Sequence, residues 1–428
     1  MSIKVRSKVV ILGFCWLVGA GVQARADVNQ DLSTMLRPGT EGLSKTEMQD
    51  AASRLRQMAK DPSANPQLAE QAVFRARMLE IQLGAAGDNQ YVALWNEAGT
   101  SSQRAFLRGE IVFSLEMQLR RGAGTPGDEL KGKAAQMRTI LLSVMEGGES
   151  TSGLDTWGLI SLLSDVDPRG ALDLLDRLDE KNILWRPSNL AMVHRWFYLK
   201  QRFGEAKYEH VAKVMRTFPV QAHLFVGLFD LVLISSRPTS AQLEELLGAW
   251  EADTRKIAEG FKDAKLQQVL LDAHECASEG IRATILDSGK SSIKALADRQ
   301  FFGKIPGYVS TLIQSLPPDF APSDNPFVLQ GENQVFAIAW LCVIDQSLIQ
   351  HADALREECS ALGKAKTTTD PGQKAAAEQH RETLRSVAPS LIQGLGVVHE
   401  YLTKQGSASS SSAAQSTHKL IDEITNCT

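Results

Sequence analysis

Four Xaa–Pro pairs, Asp167-Pro168, Arg186-Pro187, Phe218-Pro219 and Arg237-Pro238, cut the middle of the chain into helix-length pieces. A residue before proline is pushed out of the helical region, and proline itself fits the first turn of the helix that follows. The pieces between them carry apolar residues at helical spacing, and short turns make consecutive helices antiparallel neighbours. The same reading extends outward. Ser44 with Glu47 forms a capping box that starts a helix through about Met58, and Asn65-Pro66 opens the next. Further helices are expected at roughly 101–121, 127–146, 153–165, 168–181, 188–202, 205–217, 221–235, 239–258, 261–286, 291–299, 333–362, 373–386 and 388–404. Alternating strands bounded by Asn-Gly or Asp-Gly turns are absent. The expectation is an all-α fold: an irregular helical-hairpin, solenoid-like array followed by a C-terminal helical bundle.

The middle third has a period. Ala171, Ala206 and Ala241 recur every 35 residues in Pro168-Arg-Gly-Ala171, Phe203-Gly-Glu-Ala206 and Pro238-Thr-Ser-Ala241. Each follows a more apolar helix, within Leu154–Leu163, Leu190–Leu199 and Leu224–Ile234. A small residue early in the second helix lets two antiparallel helices approach closely, and two-helix units bury their apolar faces by stacking. This pattern, best in Phe203-Gly-Glu-Ala206 through Phe218-Pro219, resembles the tetratricopeptide family of helical hairpins over residues 152–256. That family's Trp-Leu-Gly pattern in the first helix is missing, and no binding residue carries over. The resemblance implies a surface that holds protein or peptide partners.

The flanks have other characters. Residues 1–26 read as a signal peptide: Lys4, Arg6 and Lys8 precede an apolar run from Val9 to Val22, and Ala24-Arg25-Ala26 offers cleavage after Ala26. Fourteen apolar residues are too few to span a bilayer, which takes roughly 20. The mature chain is therefore expected in the periplasm or outside the cell, with no transmembrane segment after cleavage. Residues 27–150 form an N-terminal helical region, 151–258 the repeats and 259–302 a helical connector. Pro306, Pro317, Pro318, Pro322 and Pro326 mark 303–332 as a Pro-rich loop whose phenylalanines, Phe320 and Phe327, plug the core. Residues 333–404 form the C-terminal helical region. A flexible linker and tail at 405–428 contains the low-complexity run Gly406–Ser416.

Composition bounds the function. The 428 residues carry a net charge of −4, and the leader's four basic groups (Lys4, Arg6, Lys8, Arg25) leave with it, taking the mature chain to −8. With no basic stripe, the charge distribution argues against nucleic acid as a partner. Catalytic patterns are missing. His274-Glu275 and His399-Glu400 lack the second histidine of a helical zinc motif, and His194, His210 and His223 lie on adjacent helices without a spacing that fixes a metal site. No C-x-x-C, G-x-S-x-G or phosphate-binding loop occurs. Glu244-Glu245 and Glu357-Glu358 read as solvated helix faces. No catalytic, metal or cofactor residue is assigned. The expectation is an exported scaffold or adaptor mediating protein–protein interactions in the cell envelope. The alternative is an exported all-α enzyme, carbohydrate-active or lyase-like, whose acidic site forms only in three dimensions.

Cleavage leaves four cysteines, Cys276, Cys342, Cys359 and Cys427. On one helix Cys342 and Cys359 stand about 25 Å apart, which excludes that pair. A disulfide between Cys359 and Cys427 is the preferred pairing, with Cys276 and Cys342 reduced or joined in the core.

Overall fold

The computed structural model describes residues 44–84, 90–99, 101, 103–122, 127–147, 155–321, 325–327, 329–364, 371–406 and 408–427. The signal peptide lies outside them. Every regular element among these residues is helical. The all-α expectation holds, and the chain divides into two compact units meeting at Asp155/Thr156.

The first unit contains α1 (Lys45–Ala59), α2 (Pro66–Gln82), α3 (Gln90–Ala98), α4 (Arg104–Gly122) and α5 (Asp128–Gly147). Ser44 and Glu47 close the expected capping box, and Asn65 caps α2 ahead of Pro66. Small residues let α1 and α2 pack closely: Ala52, Leu55, Ala72, Ala76 and Leu79 form one buried cluster. Tyr91 and Trp95 fill the space among α3, α4 and α5, and the Tyr91 amide donates to Gln136 Oε1 at 2.8 Å.

The second unit begins with α6 (Thr156–Val166), α7 (Pro168–Glu180), α8 (Leu190–Arg202), α9 (Tyr208–Thr217), α10 (Val226–Ser236) and α11 (Ser240–Ala258). The turns follow the chemistry of their residues. Asp167 accepts from the Gly170 amide at 3.0 Å with Pro168 inside the first turn. Thr239 and Gln242 form a capping box for α11. Helix α10 stops where Arg237 takes the left-handed conformation (φ 48°), a position that usually belongs to glycine.

Contacts in this stretch are local: each helix packs on near neighbours in sequence, α6 on α7 and α8, α8 on α10, and α9 on α10 and α11. The three alanines that mark the 35-residue spacing do not occupy equivalent places. Ala171 is buried in α7, but Ala206 sits in the turn before α9, and Ala241 is exposed. Three polar contacts do link residues of nearly that separation. Arg195 reaches Ser161 at 2.8 Å, Lys213 reaches Asp179 at 2.6 Å, and the Tyr208 hydroxyl donates to the Gln242 carbonyl at 2.9 Å, each pair 34 residues apart.

The remainder of the unit is built around α12 (Ala264–Leu286), which packs against α10, α11 and the helices that follow. These are α13 (Ser292–Asp298), α14 (Ile305–Ser315), α15 (Gly331–Ala339), a wide π-helical stretch Trp340–Ile349, α16 (Gln350–Lys364), α17 (Pro371–Gln405) and α18 (Ala408–Cys427). Helix 331–362 is long and apolar enough to cross a membrane, and 67% of its most apolar window is buried within the protein, as expected of a bundle's central helix.

Three expectations change here. The Pro-rich stretch 303–332 is not a continuous loop, because Pro306 falls in the first turn of α14, where a missing amide costs nothing. Its phenylalanines do pack: Phe320 against Phe336 and Trp340, Phe327 against His194 and Phe225. Helix α17 runs through Pro389, although the ring removes one backbone hydrogen bond. The serine-rich run 408–416 forms the opening turns of α18 instead of a flexible linker. It packs along α16 and α17, and Ala414, Leu420 and Ile424 are buried there. That tertiary burial outweighs the low helix propensity of serine.

Candidate functional site

Helices α6, α8 and α10 each carry a pair of side chains that reach solvent. On α6 the outward positions are Trp157 and Ser161, on α8 Arg195 and Tyr198, and on α10 Leu231 and Ile234. The spacings i, i+4 and i, i+3 put each pair on one helix face. The Arg195 guanidinium lies 5.6 Å from the Trp157 ring and 5.9 Å from the Tyr198 ring while donating to Ser161. Leu231 is 49% exposed and Ile234 50%. Large aliphatic side chains in solvent are an unfavourable use of surface unless something covers them. In the first unit, Phe106 and Phe113, seven residues apart on α4, are also exposed.

The histidines that the sequence left open do not converge on one point. His194 packs edge-on against Phe225 and Phe327. His210 packs against Trp196 and receives the Lys207 amide hydrogen on Nδ1 at 3.2 Å. His223 pairs instead with His274: both rings lie against Trp250, at 4.5 and 4.6 Å between centroids. Burial pushes His223 down to about 3 and His194 and His274 to about 4, so all three are neutral. No group of three or more metal-ligating side chains exists among the described residues. Glu244 is ion-paired with Arg282, and Glu358 lies 2.9 Å from His380 Nε2.

Cys276 and Cys342 are buried free thiols, and Cys359 is disulfide-bonded. The Cys427 side chain is outside the described residues. Cys276 lines a cavity of about 370 Å³ together with Asp230, Ser347 and His351, a gathering of nucleophile, imidazole and carboxyl that no sequence spacing announced. Its chemistry is quiet. Burial pushes the Cys276 thiol up to about 12, so it carries its proton at neutral pH. The His351 Nδ1 is engaged with the Ser347 carbonyl at 3.0 Å. Burial also raises Asp230 to about 7, and its Oδ1 has no partner among the described residues.

A larger cavity, about 840 Å³, opens between the π-helical stretch, α16, α17 and α18. Phe320, Trp340 and Tyr401 form one wall, with ring centroids 5.9 and 6.0 Å apart in sequence around Trp340. Asp345 faces the cavity, and burial raises it to about 6 against a hydrogen bond from the Trp340 side chain. That bond depends on the wide helix. Five residues of an α-helix leave two side chains about 140° apart, whereas i→i+5 bonding widens the turn and narrows that angle. The Gln350 amide indeed bonds to the Asp345 carbonyl. At the other side, Asp353 and Glu423 are both tied to Arg356, at 3.0 and 3.3 Å. The cavity thus offers one carboxylate without an ion pair among the described residues, ionised at neutral pH although burial raises it to about 6, and two that are ion-paired with Arg356.

Comparison with protein-family models, with curated proteins and with solved structures finds no significant match to this chain.

Proposed function

We propose that this protein is an exported helical scaffold that holds a segment of an envelope protein across α6, α8 and α10. The observation that carries this reading is the set of solvent-reaching residues Trp157, Arg195, Tyr198, Leu231 and Ile234 on α6, α8 and α10, with Arg195 beside two rings. Stacked hairpins bind peptides on such surfaces because each unit adds one strip of side chains. Aromatic residues and arginine supply most binding energy at protein interfaces. Arg195 already lies near two rings, and a guanidinium has further N–H donors for a carboxylate or carbonyl beyond the one given to Ser161. The partner segment would bring aliphatic side chains for Leu231 and Ile234 and an acidic group for Arg195.

A photo-crosslinking residue at Tyr198 or Leu231, expressed in the native host, tests the reading. The same partner should be captured from both positions, and Ile234→Glu should abolish capture. Equal capture from an exposed site on α7, such as Arg177, would count against it.

A further inference from the structure

The 840 Å³ cavity is independent of the surface just described, and its walls have a definite chemical preference. Its volume lies within the range of small-molecule sites, roughly 300–1,000 Å³. The apolar lining combines aromatic rings, Phe320, Trp340 and Tyr401, with aliphatic side chains, Leu395, Val398 and Leu402. Aromatic faces attract cations through the ring quadrupole. Beside these rings stands Asp345, which forms no ion pair among the described residues. The two cations that line the cavity are both committed: Arg356 to Asp353 and Glu423, and Lys419 to Glu423 at 3.6 Å. A partly buried carboxylate without a counter-ion is costly unless one arrives. The Tyr401 hydroxyl oxygen is buried near Gln405 and makes no hydrogen bond of good geometry. It is a second polar atom awaiting a partner.

We infer that this cavity binds a small organic cation, an ammonium group carried on an apolar body, with Asp345 as counter-ion, Phe320, Trp340 and Tyr401 around the ammonium, and the aliphatic side chains against the body. An anionic amphiphile of the same length would meet Asp345 unfavourably and leave the rings without their preferred charge. A neutral one would gain only the apolar contact.

Calorimetric titration of the purified protein with octyltrimethylammonium, octanol and octanoate decides this. The cation should bind at least about tenfold more tightly than either of the others. Asp345→Asn keeps the shape and removes the charge, and should erase that preference. The neighbouring Asp353→Asn should keep it. Ala413→Phe, which fills the cavity from α18, should abolish binding of all three. The titratable groups that line the cavity with Asp345 are Asp353 and Arg356 from α16, Tyr401 from α17, and Lys419 and Glu423 from α18. The preference for the cation should fall below pH 6 in the parent, where Asp345 takes up its proton, and be flat in Asp345→Asn. Equal affinity for octanoate and the cation, a preference that survives Asp345→Asn, or no binding of the cation would each overturn the inference.

Discussion

His274 Nδ1 lies 3.3 Å from His223 Nε2, inside the core of the second unit. His223 Nδ1 is 2.6 Å from the Val220 carbonyl, so that nitrogen must carry the proton, and Nε2 is left to accept from His274. The pair is a directed chain, His274 to His223 to backbone, and both rings must be neutral to make it. Their folded values, about 4 and about 3, lie below the unfolded value of 6.5. Their contribution to stability is therefore complete above pH 6.5 and is lost as pH falls toward 4. Urea midpoints measured from pH 7 to 4.5 should fall for the parent and fall less steeply for His274→Gln. The difference should approach about 1.4 kcal/mol per pH unit near pH 5. Parallel curves would remove the pair from the pH response.

Asp230 titrates with the opposite sign. Its carboxyl is raised from 3.8 to about 7 by burial alone, so the folded state holds a proton that the unfolded state has lost. This costs stability progressively as pH rises from 4 to 7. Asp230→Asn should raise the melting temperature at pH 8, with a gain of roughly 2 kcal/mol that shrinks toward zero near pH 4. A gain independent of pH would mean that shape, and not charge, is responsible.

Arg237 ends α10 in the left-handed region, where a β-carbon is crowded. Arg237→Gly should raise stability by about 0.5–1 kcal/mol, read as a higher urea midpoint at unchanged slope. Destabilisation would show that the arginine side chain itself holds the turn.

For the cysteines, we expect Cys359 to be joined to Cys427 in protein from the native host. Non-reducing peptide mapping should recover the 359 and 427 peptides as one species. Cys276 and Cys342 should take up alkylating reagent only after denaturation, given their burial. An alkylatable Cys427 in the folded protein would refute the pairing.

Local chemistry was legible in the sequence wherever it was decided locally. The Ser44 and Asn65 caps, the proline turns at Pro168 and Pro238 and the long helix after Gly331 all depend on residues within a turn of one another. The alanines at 171, 206 and 241 share a spacing but not a structural place, because burial of Ala241 depends on which face α11 turns inward. Polar pairs such as Ser161 with Arg195 have a separation of 34 residues. Helix α18 was missed because serine has low helix propensity, and only packing against α16 and α17 makes it helical. The two cavities were invisible for a further reason: Asp230, Cys276 and His351, or Trp340 and Tyr401, come together across long stretches of chain. The approach of Trp340 to Asp345 required a helix type that no composition rule announces.

Ser409, Ser410, Ala413, Ser416 and Thr417 turn only short side chains toward the larger cavity. That wall stands close to the main chain of α18, whose position is fixed further along by Leu420 and Ile424. The chamber can therefore be resized from one helix by single-codon changes that leave the core undisturbed. The aromatic wall and Asp345, on other elements, would keep the chemistry constant meanwhile. Descendants of this chain that diverge in what they hold should differ first in the bulk of these five side chains and only later in charge.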